Sequence, residues 1–232
     1  MIEFLAPPGS GKTTVSTIVV ERLQQEGDSV SDRDTYNQRV LEILRESPGP
    51  RHLQGISTLT TARLLSLIDY LLSLQPRNAD LLRRSIRFLK VLRARMVFDT
   101  RARQEGLVIL DQGVLQAMLS LEHLQARGIP SPKRVGFLKA WSEFLPSVVI
   151  QLRADGEVIA RRIGKRQMEL GVIGELEARE ELDGELLDHF TEFFDVLLQE
   201  LQEAKPEVQI LQFECEGPAS KVADKVFQAF RD

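Results

Sequence analysis

One cysteine, Cys215, stands in 232 residues, so no intramolecular disulfide can form and the chain is not a small disulfide-framed domain. Histidine is nearly as scarce: His52, His123 and His189 lie far apart, with none of the spacings that zinc ligation uses. No apolar run approaches the roughly 18 residues that a membrane-spanning helix needs. The apolar N-terminal stretch is short and has no basic start, so it does not read as a signal peptide. Positive charge is not in excess either. The formal net charge is −4 and the pI about 5.6, so nothing draws the chain generally to nucleic acid, and any anion binding has to be local. Repeats and low-complexity tracts are lacking. With 43% hydrophobic and 28% charged residues, the chain is expected to form one large domain with a substantial core, in a reducing, cytoplasmic setting.

What is present starts at residue 2. Ile2-Glu3-Phe4-Leu5 runs into Ala6-Pro7-Pro8-Gly9-Ser10-Gly11-Lys12-Thr13-Thr14, and a helical segment over 15–26 follows, stopped by Gly27. Strand, glycine loop, Lys-Thr and helix in that order cradle nucleotide phosphates. Gly9 and Gly11 let backbone amides turn inward, and the helix N-terminus then faces an anion. Lys12 can reach the terminal phosphates and the Thr13 hydroxyl can ligate Mg²⁺. Pro8, Gly9, Ser10, Gly11, Lys12, Thr13 and Thr14 are therefore the expected nucleotide contacts. The pattern ordinarily opens with glycine, and Ala6 is the next smallest residue.

A second strand is expected over 29–31, with Asp32, Arg33 and Asp34 just past its carboxyl end. Ligands bind at that edge of open α/β sheets, so Asp34 is a candidate substrate contact; a charged surface turn is the alternative. Helices are expected over 36–46 and 53–74, and Asn78 can cap a long helix over 79–105. This last helix is unusually basic, and Leu82, Ile86, Leu89, Leu92 and Met96 mark its expected buried stripe. Most of its arginines belong to a solvated face, but Arg93 or Arg95 could turn to a second phosphate site. The run 107–110 reads as a strand buried on both faces and ends in Asp111. Asp111 is either the Mg²⁺ partner of the phosphate loop or the cap of a helix beginning near Val114. Gln112 and Gln116 lie at the mouth of the same cleft, as substrate contacts or as helix surface.

Helices over 114–126 and 133–145 follow, the second holding Trp141 as a core residue, then a buried strand over 147–152 and a helix capped by Asp155. On that helix Arg162 and Arg166 are four apart and share a face. Two guanidinium groups suit a polyphosphate transition state; a solvated basic face is the alternative. Residues 167–183 are glycine-punctuated and acidic and read as a flap. A helix over 185–203 with Leu186, Phe190, Phe193, Leu197 and Leu201 inward, a strand over 207–213 and a helix over 219–231 complete the chain.

The 6–14 loop, the strand ending at Asp111 and Arg162-Ile163-Gly164-Lys165-Arg166 after the 147–152 strand together resemble the nucleoside-monophosphate-kinase branch of P-loop kinases, thymidylate kinase most closely. The resemblance spans the frame of the chain. It implies an α/β fold of the P-loop NTPase kind, three layers with a five-stranded parallel sheet between helices. It also implies an acceptor-binding helical region within 31–80, a lid within 153–184, and ATP and Mg²⁺ as cofactors, with Lys12, Asp111, Arg162 and Arg166 catalytic and Thr13 and Asp111 at the metal. Thymidylate kinases carry Asp-Arg where this chain has Asp111-Gln112, so an arginine that holds the acceptor phosphate is missing. The Pro-Gly-Gly-rich loop is replaced by Asp32-Arg33-Asp34-Thr35. Both departures fall on the acceptor side. The expected activity is transfer of the γ-phosphoryl group of ATP to a nucleoside monophosphate or related small acceptor. A P-loop ATPase or regulatory nucleotide-binding protein acting on a macromolecule is the alternative. No Asn-Lys-x-Asp and no Ser-Gly-Gly-Gln motif is present, which counts against a guanine switch and a transporter ATPase. Expected partners are ATP and a small-molecule acceptor, with no nucleic acid and no membrane; a homodimer is left open.

Overall fold

The computed structural model describes residues 1–46, 59–74, 79–101, 106–122, 131–170 and 184–231, with side chains at all of these except 100, 101, 165–170 and 184–191. Five strands, β1 Ile2–Leu5, β2 Val30–Ser31, β3 Leu107–Leu110, β4 Val148–Arg153 and β5 Gln209–Glu214, form one parallel sheet in the order β2-β3-β1-β4-β5. Strand β1 is central, with Glu3 beside Leu110 on one side and Val149 on the other. Residues 6–14 and Asp111 therefore emerge together at the carboxyl edge of neighbouring strands.

Alternation along β1 splits the core into two layers. Ile2 and Phe4 face α1 (Lys12–Gln25) and α9 (Ala219–Gln228), meeting Val15, Val19, Leu23, Val222 and Val226. Leu5 faces the larger cluster, built on α3 (Thr61–Ser73), α4 (Ala79–Arg101), α5 (Val114–Glu122), α6 (Arg134–Ala140) and α8 (Gly184–Ala204). Helix α2 (Arg33–Glu46) packs on α4 and β3 through Tyr36, Val40 and Ile43. Helix α7 (Gly156–Leu170) follows β4, and the Asp155 carboxylate accepts from Glu157 N at 2.7 Å, as its expected capping role requires. A buried ion pair ties α5 to α6: Arg134 Nη1 lies 2.9 Å from Glu122 Oε2, both side chains fully buried, and Tyr70 Oη donates to the same carboxylate. Removing one partner would strand a charge at a cost of about 3–5 kcal/mol.

Several boundaries depart from the sequence-based expectation. The helix expected over 133–145 stops at Ala140 and passes into a 3-10 turn, Ser142–Phe144, before Pro146. Residues 167–170, expected in the flap, continue α7, because nothing before Gly171 breaks the helical run. The rest of the flap, Asn78 and the start of the 53–74 helix lie outside the described residues. The largest correction is the buried stripe of α4. Leu82, Ile86 and Leu89 are exposed, while Leu81, Phe88, Leu92 and Met96 are buried. Phe88 decides the rotation: its ring packs 6.0 Å from Tyr70 and 5.6 Å from Phe137, and those aromatics anchor the larger core cluster. Among the described residues no helix is long and apolar enough to cross a membrane.

Candidate active site

The loop between β1 and α1 takes its shape from two left-handed residues, Gly9 at φ 76° and Gly11 at φ 87°, and Gly11 is the N-cap of α1. A side chain at Gly9 would be excluded twice, since a Cβ there would lie 2.7 Å from Ile163 of α7. Helix α7 thus rests directly on the loop. With α1 starting at Lys12, its first amides point to the loop's hollow, the geometry that receives anions.

Around this loop the side chains form a linked set. Thr13 Oγ1 donates to Asp111 Oδ2 at 2.8 Å. Arg33 Nη1 stands 3.1 Å from Asp111 Oδ1 as an ion pair, and Oδ1 is buried without a hydrogen-bond partner. Lys12 Nζ donates to Gln116 Oε1 at 2.6 Å. Burial pulls the Lys12 ammonium down to about 8, against the opposing pull of Asp111 and Glu3. The first turn of α5 is held by Glu3 of β1, whose Oε1 accepts from Gln116 N at 2.8 Å, and not by Asp111. Of the two alternatives for Asp111, the helix cap is thereby taken by another residue.

A cavity of about 630 Å³ opens beside the loop. It is lined by Ala6 to Thr14, by Gln112, Gly113, Gln116 and Ser120, by Arg33, Tyr36 and Asn37 at and after the start of α2, and by Arg84, Arg87, Val91, Ala94 and Arg95 of α4. Among the described lining residues five are cationic and none is an aspartate or glutamate. Arg95 is only 8% exposed; it donates from Nε to Phe144 O at 2.9 Å and pairs with Asp99 at 2.9 Å. Arg84 Nη1 donates to Ser120 O at 2.9 Å.

Some expected site residues converge here and others do not. Pro8, Gly9, Ser10, Gly11, Lys12, Thr13, Thr14, Arg95, Gln112 and Gln116 line the cavity, and Asp111 adjoins it through Thr13. Gln116 is turned onto Lys12. Asp34 is exposed, 3.6 Å from Arg33 Nε, and lines only a small neighbouring hollow. Arg93 does not line the cavity; Arg84, half-buried, and Arg87, exposed, do, on the stripe 84, 87, 91, 94 that runs beside the buried Phe88 and Leu92. Arg162 also stands apart from the cavity lining. Its guanidinium donates to Ser10 O at 2.9 Å and to Cys215 O and Gly217 O, each at 3.0 Å, tying the β1–α1 loop to the β5–α9 connection. The side chain of Arg166 lies outside the described residues. Sequence reasoning missed Glu3, Tyr36 and Asn37 altogether; it set Arg33 at the ligand-binding edge of the sheet without naming it a contact, and it took in Arg84 and Arg87 only as part of an unusually basic helix.

No family model and no curated protein matches the chain. Among solved structures, deoxyadenosine kinase from M. mycoides with bound dATP is similar over 100% of this chain and 99% of that one, at 15% identity and a TM-score of 0.52. That likeness, with the sheet order and the loop between β1 and α1, gives the chain the α/β fold of a P-loop kinase.

Proposed function

We propose that the chain is an ATP-dependent phosphotransferase whose acceptor is a small anion, a nucleoside monophosphate or a close relative. The observation that carries this reading is the charge of the cavity. Its lining includes Arg84 and Arg87 of α4 together with Arg33, and its described lining holds no carboxylate. A neutral hydroxyl acceptor calls for a base that takes its proton. An acceptor that already carries a phosphate needs no such group and needs cations instead, for which arginine's planar fork is suited. The arginines of α4 and α2 stand in for the arginine absent after Asp111. The likeness to a deoxyadenosine kinase supports nucleotide chemistry on this frame; the arginine wall favours a phosphorylated acceptor over a nucleoside.

ATP would lie with its β- and γ-phosphates in the 6–14 loop, on the α1 amides and Lys12. Mg²⁺ fits the oxygens present: Thr13 Oγ1 and Asp111 are hard donors side by side, and Asp111 Oδ1 has an unused lone pair. Held by Thr13 and Asp111, the ion would supply positive charge to neutralise the phosphates. Helix α7 bears on the ATP side through Ile163 and Arg162, and a lid within 153–184, with Arg166 as a group for the transition state, is part of the proposal.

The test is ATP consumption measured against nucleoside monophosphates, nucleosides, sugar phosphates and sugars. Turnover with a phosphorylated acceptor and not with its dephosphorylated form is expected. Turnover confined to neutral acceptors, or ATP hydrolysis indifferent to all of them, would overturn the reading, the second outcome in favour of a P-loop ATPase.

A further inference from the structure

Glu3 is the one charged residue of β1, and it is completely buried. Period two along the strand sets it on the Leu5 side, under α5, where an apolar residue would be expected. One carboxylate oxygen accepts from Gln116 N at 2.8 Å; the other is buried without a hydrogen-bond partner. The chain is fitted around this group. A Cβ on Gly113 would lie 2.4 Å from Glu3 Oε2, so the turn into α5 passes as close to the carboxylate as glycine allows. Gln116, whose amide Glu3 holds, accepts from Lys12 Nζ at 2.6 Å through its side chain. Glu3 itself does not line the cavity.

We propose that Glu3 is a positioning residue of the phosphate site: from beneath, it fixes the first turn of α5 so that the Gln116 side chain holds the Lys12 ammonium in place. The inference rests on reading 6–14 as a phosphate loop. A lysine on four rotatable bonds loses rotamer freedom whenever it engages a phosphate, and a partner that orders it beforehand improves binding. Helix capping alone does not account for the arrangement. A serine, threonine or asparagine at position 113 would cap α5 locally with no buried carboxylate; the chain has Gly113 there and reaches across from β1. The outcome is a continuous link, β1 to α5 to α1, between the lining of the acceptor cavity and the lysine of the phosphate loop.

The experiment compares ADP binding by titration calorimetry, in the full chain, for Glu3→Leu, Glu3→Gln, Gln116→Leu and the double variant Glu3→Leu/Gln116→Leu, with Lys12→Ala as reference and circular dichroism to establish folding. Glu3→Leu and Gln116→Leu should each raise the Kd about tenfold, Glu3→Gln should restore binding to within about threefold, and the double variant should be no weaker than the worse single one. A normal Kd in folded Glu3→Leu, or additive effects in the double variant, would leave Glu3 a helix cap only and overturn the proposal. If Glu3→Leu does not fold, Gly113→Ala, whose Cβ presses on the carboxylate, takes its place under the same criteria. Lys12→Ala separates the two levels. If it binds ADP normally, the phosphate-loop reading fails and the proposal with it. If it binds weakly while Glu3→Leu binds normally, only the proposal fails.

Discussion

Thr13 and Asp111 are 98 positions apart in the chain, and the hydroxyl of one donates to the carboxylate of the other at 2.8 Å. The contact exists because β1 and β3 are adjacent parallel strands that end at the same edge, each delivering its next residues to one place. Asp111→Asn keeps the shape and an acceptor for Thr13 but removes the charge that would face Mg²⁺. Turnover should fall by about 10²-fold or more, while the melting temperature moves little, since the ion pair that is lost has its arginine partly exposed to water. Steady-state kinetics with Mg²⁺ titration checks this. Near-normal turnover would remove Asp111 from the chemistry.

Arg162 gives a prediction that differs from the one its sequence spacing suggests. A transition-state group would lower kcat when lost. In the structure the guanidinium occupies three backbone carbonyls, one of them Ser10 O in the loop. Arg162→Ala should therefore loosen the loop and raise the KM for ATP by about tenfold with a smaller change in kcat. A loss confined to kcat would show that Arg162 leaves these carbonyls and acts on the phosphates.

The glycine loop between β1 and α1 and the strand ending at Asp111 were legible because each is written locally: glycines, Lys-Thr and a helix in one stretch, an apolar run ending in an acid in the other. The stripe of α4 that lines the cavity was not. Helix α4 has leucines on more than one face, and choosing Leu81, Phe88 and Leu92 over Leu82, Ile86 and Leu89 depends on Tyr70 and Phe137, which belong to other helices. Without that choice Arg93 and Arg87 are equivalent in the sequence. Glu3 was missed for a similar reason. A single acid in a four-residue apolar strand carries no pattern, and its partner Gln116 is 113 positions away.

The arginine wall can be tested by charge. Arg87 lines the cavity from α4. If the acceptor is anionic, Arg87→Met should raise the acceptor KM about tenfold or more, the loss of a charge-assisted contact, and leave the KM for ATP unchanged. An equal effect on both KM values would place Arg87 on the donor. No effect on either would return it to the solvated face of the helix.

The last prediction concerns pH and stability. Burial raises the Glu3 carboxyl from its ordinary 4.5 to about 7, against the amides of Gln116 and Leu115 and the charge of Lys12. The fold therefore favours the protonated form more than the unfolded chain does. By linkage this contribution is present in full below 4.5 and is lost as the pH rises through about 7. The whole interval corresponds to about 3 kcal/mol. Glu3→Gln keeps the shape and holds the group uncharged at every pH. Its melting temperature relative to wild type should accordingly rise between about pH 5 and about pH 7.5, by roughly 5–10 °C for a chain of this size. Lys12 retains most of its charge in that window, because its own value stays near about 8. Differential scanning calorimetry at the two pH values decides the matter. A constant difference would mean that the Glu3 carboxyl keeps the same charge across the window, and that the amides of α5 and the Lys12 ammonium outweigh its burial.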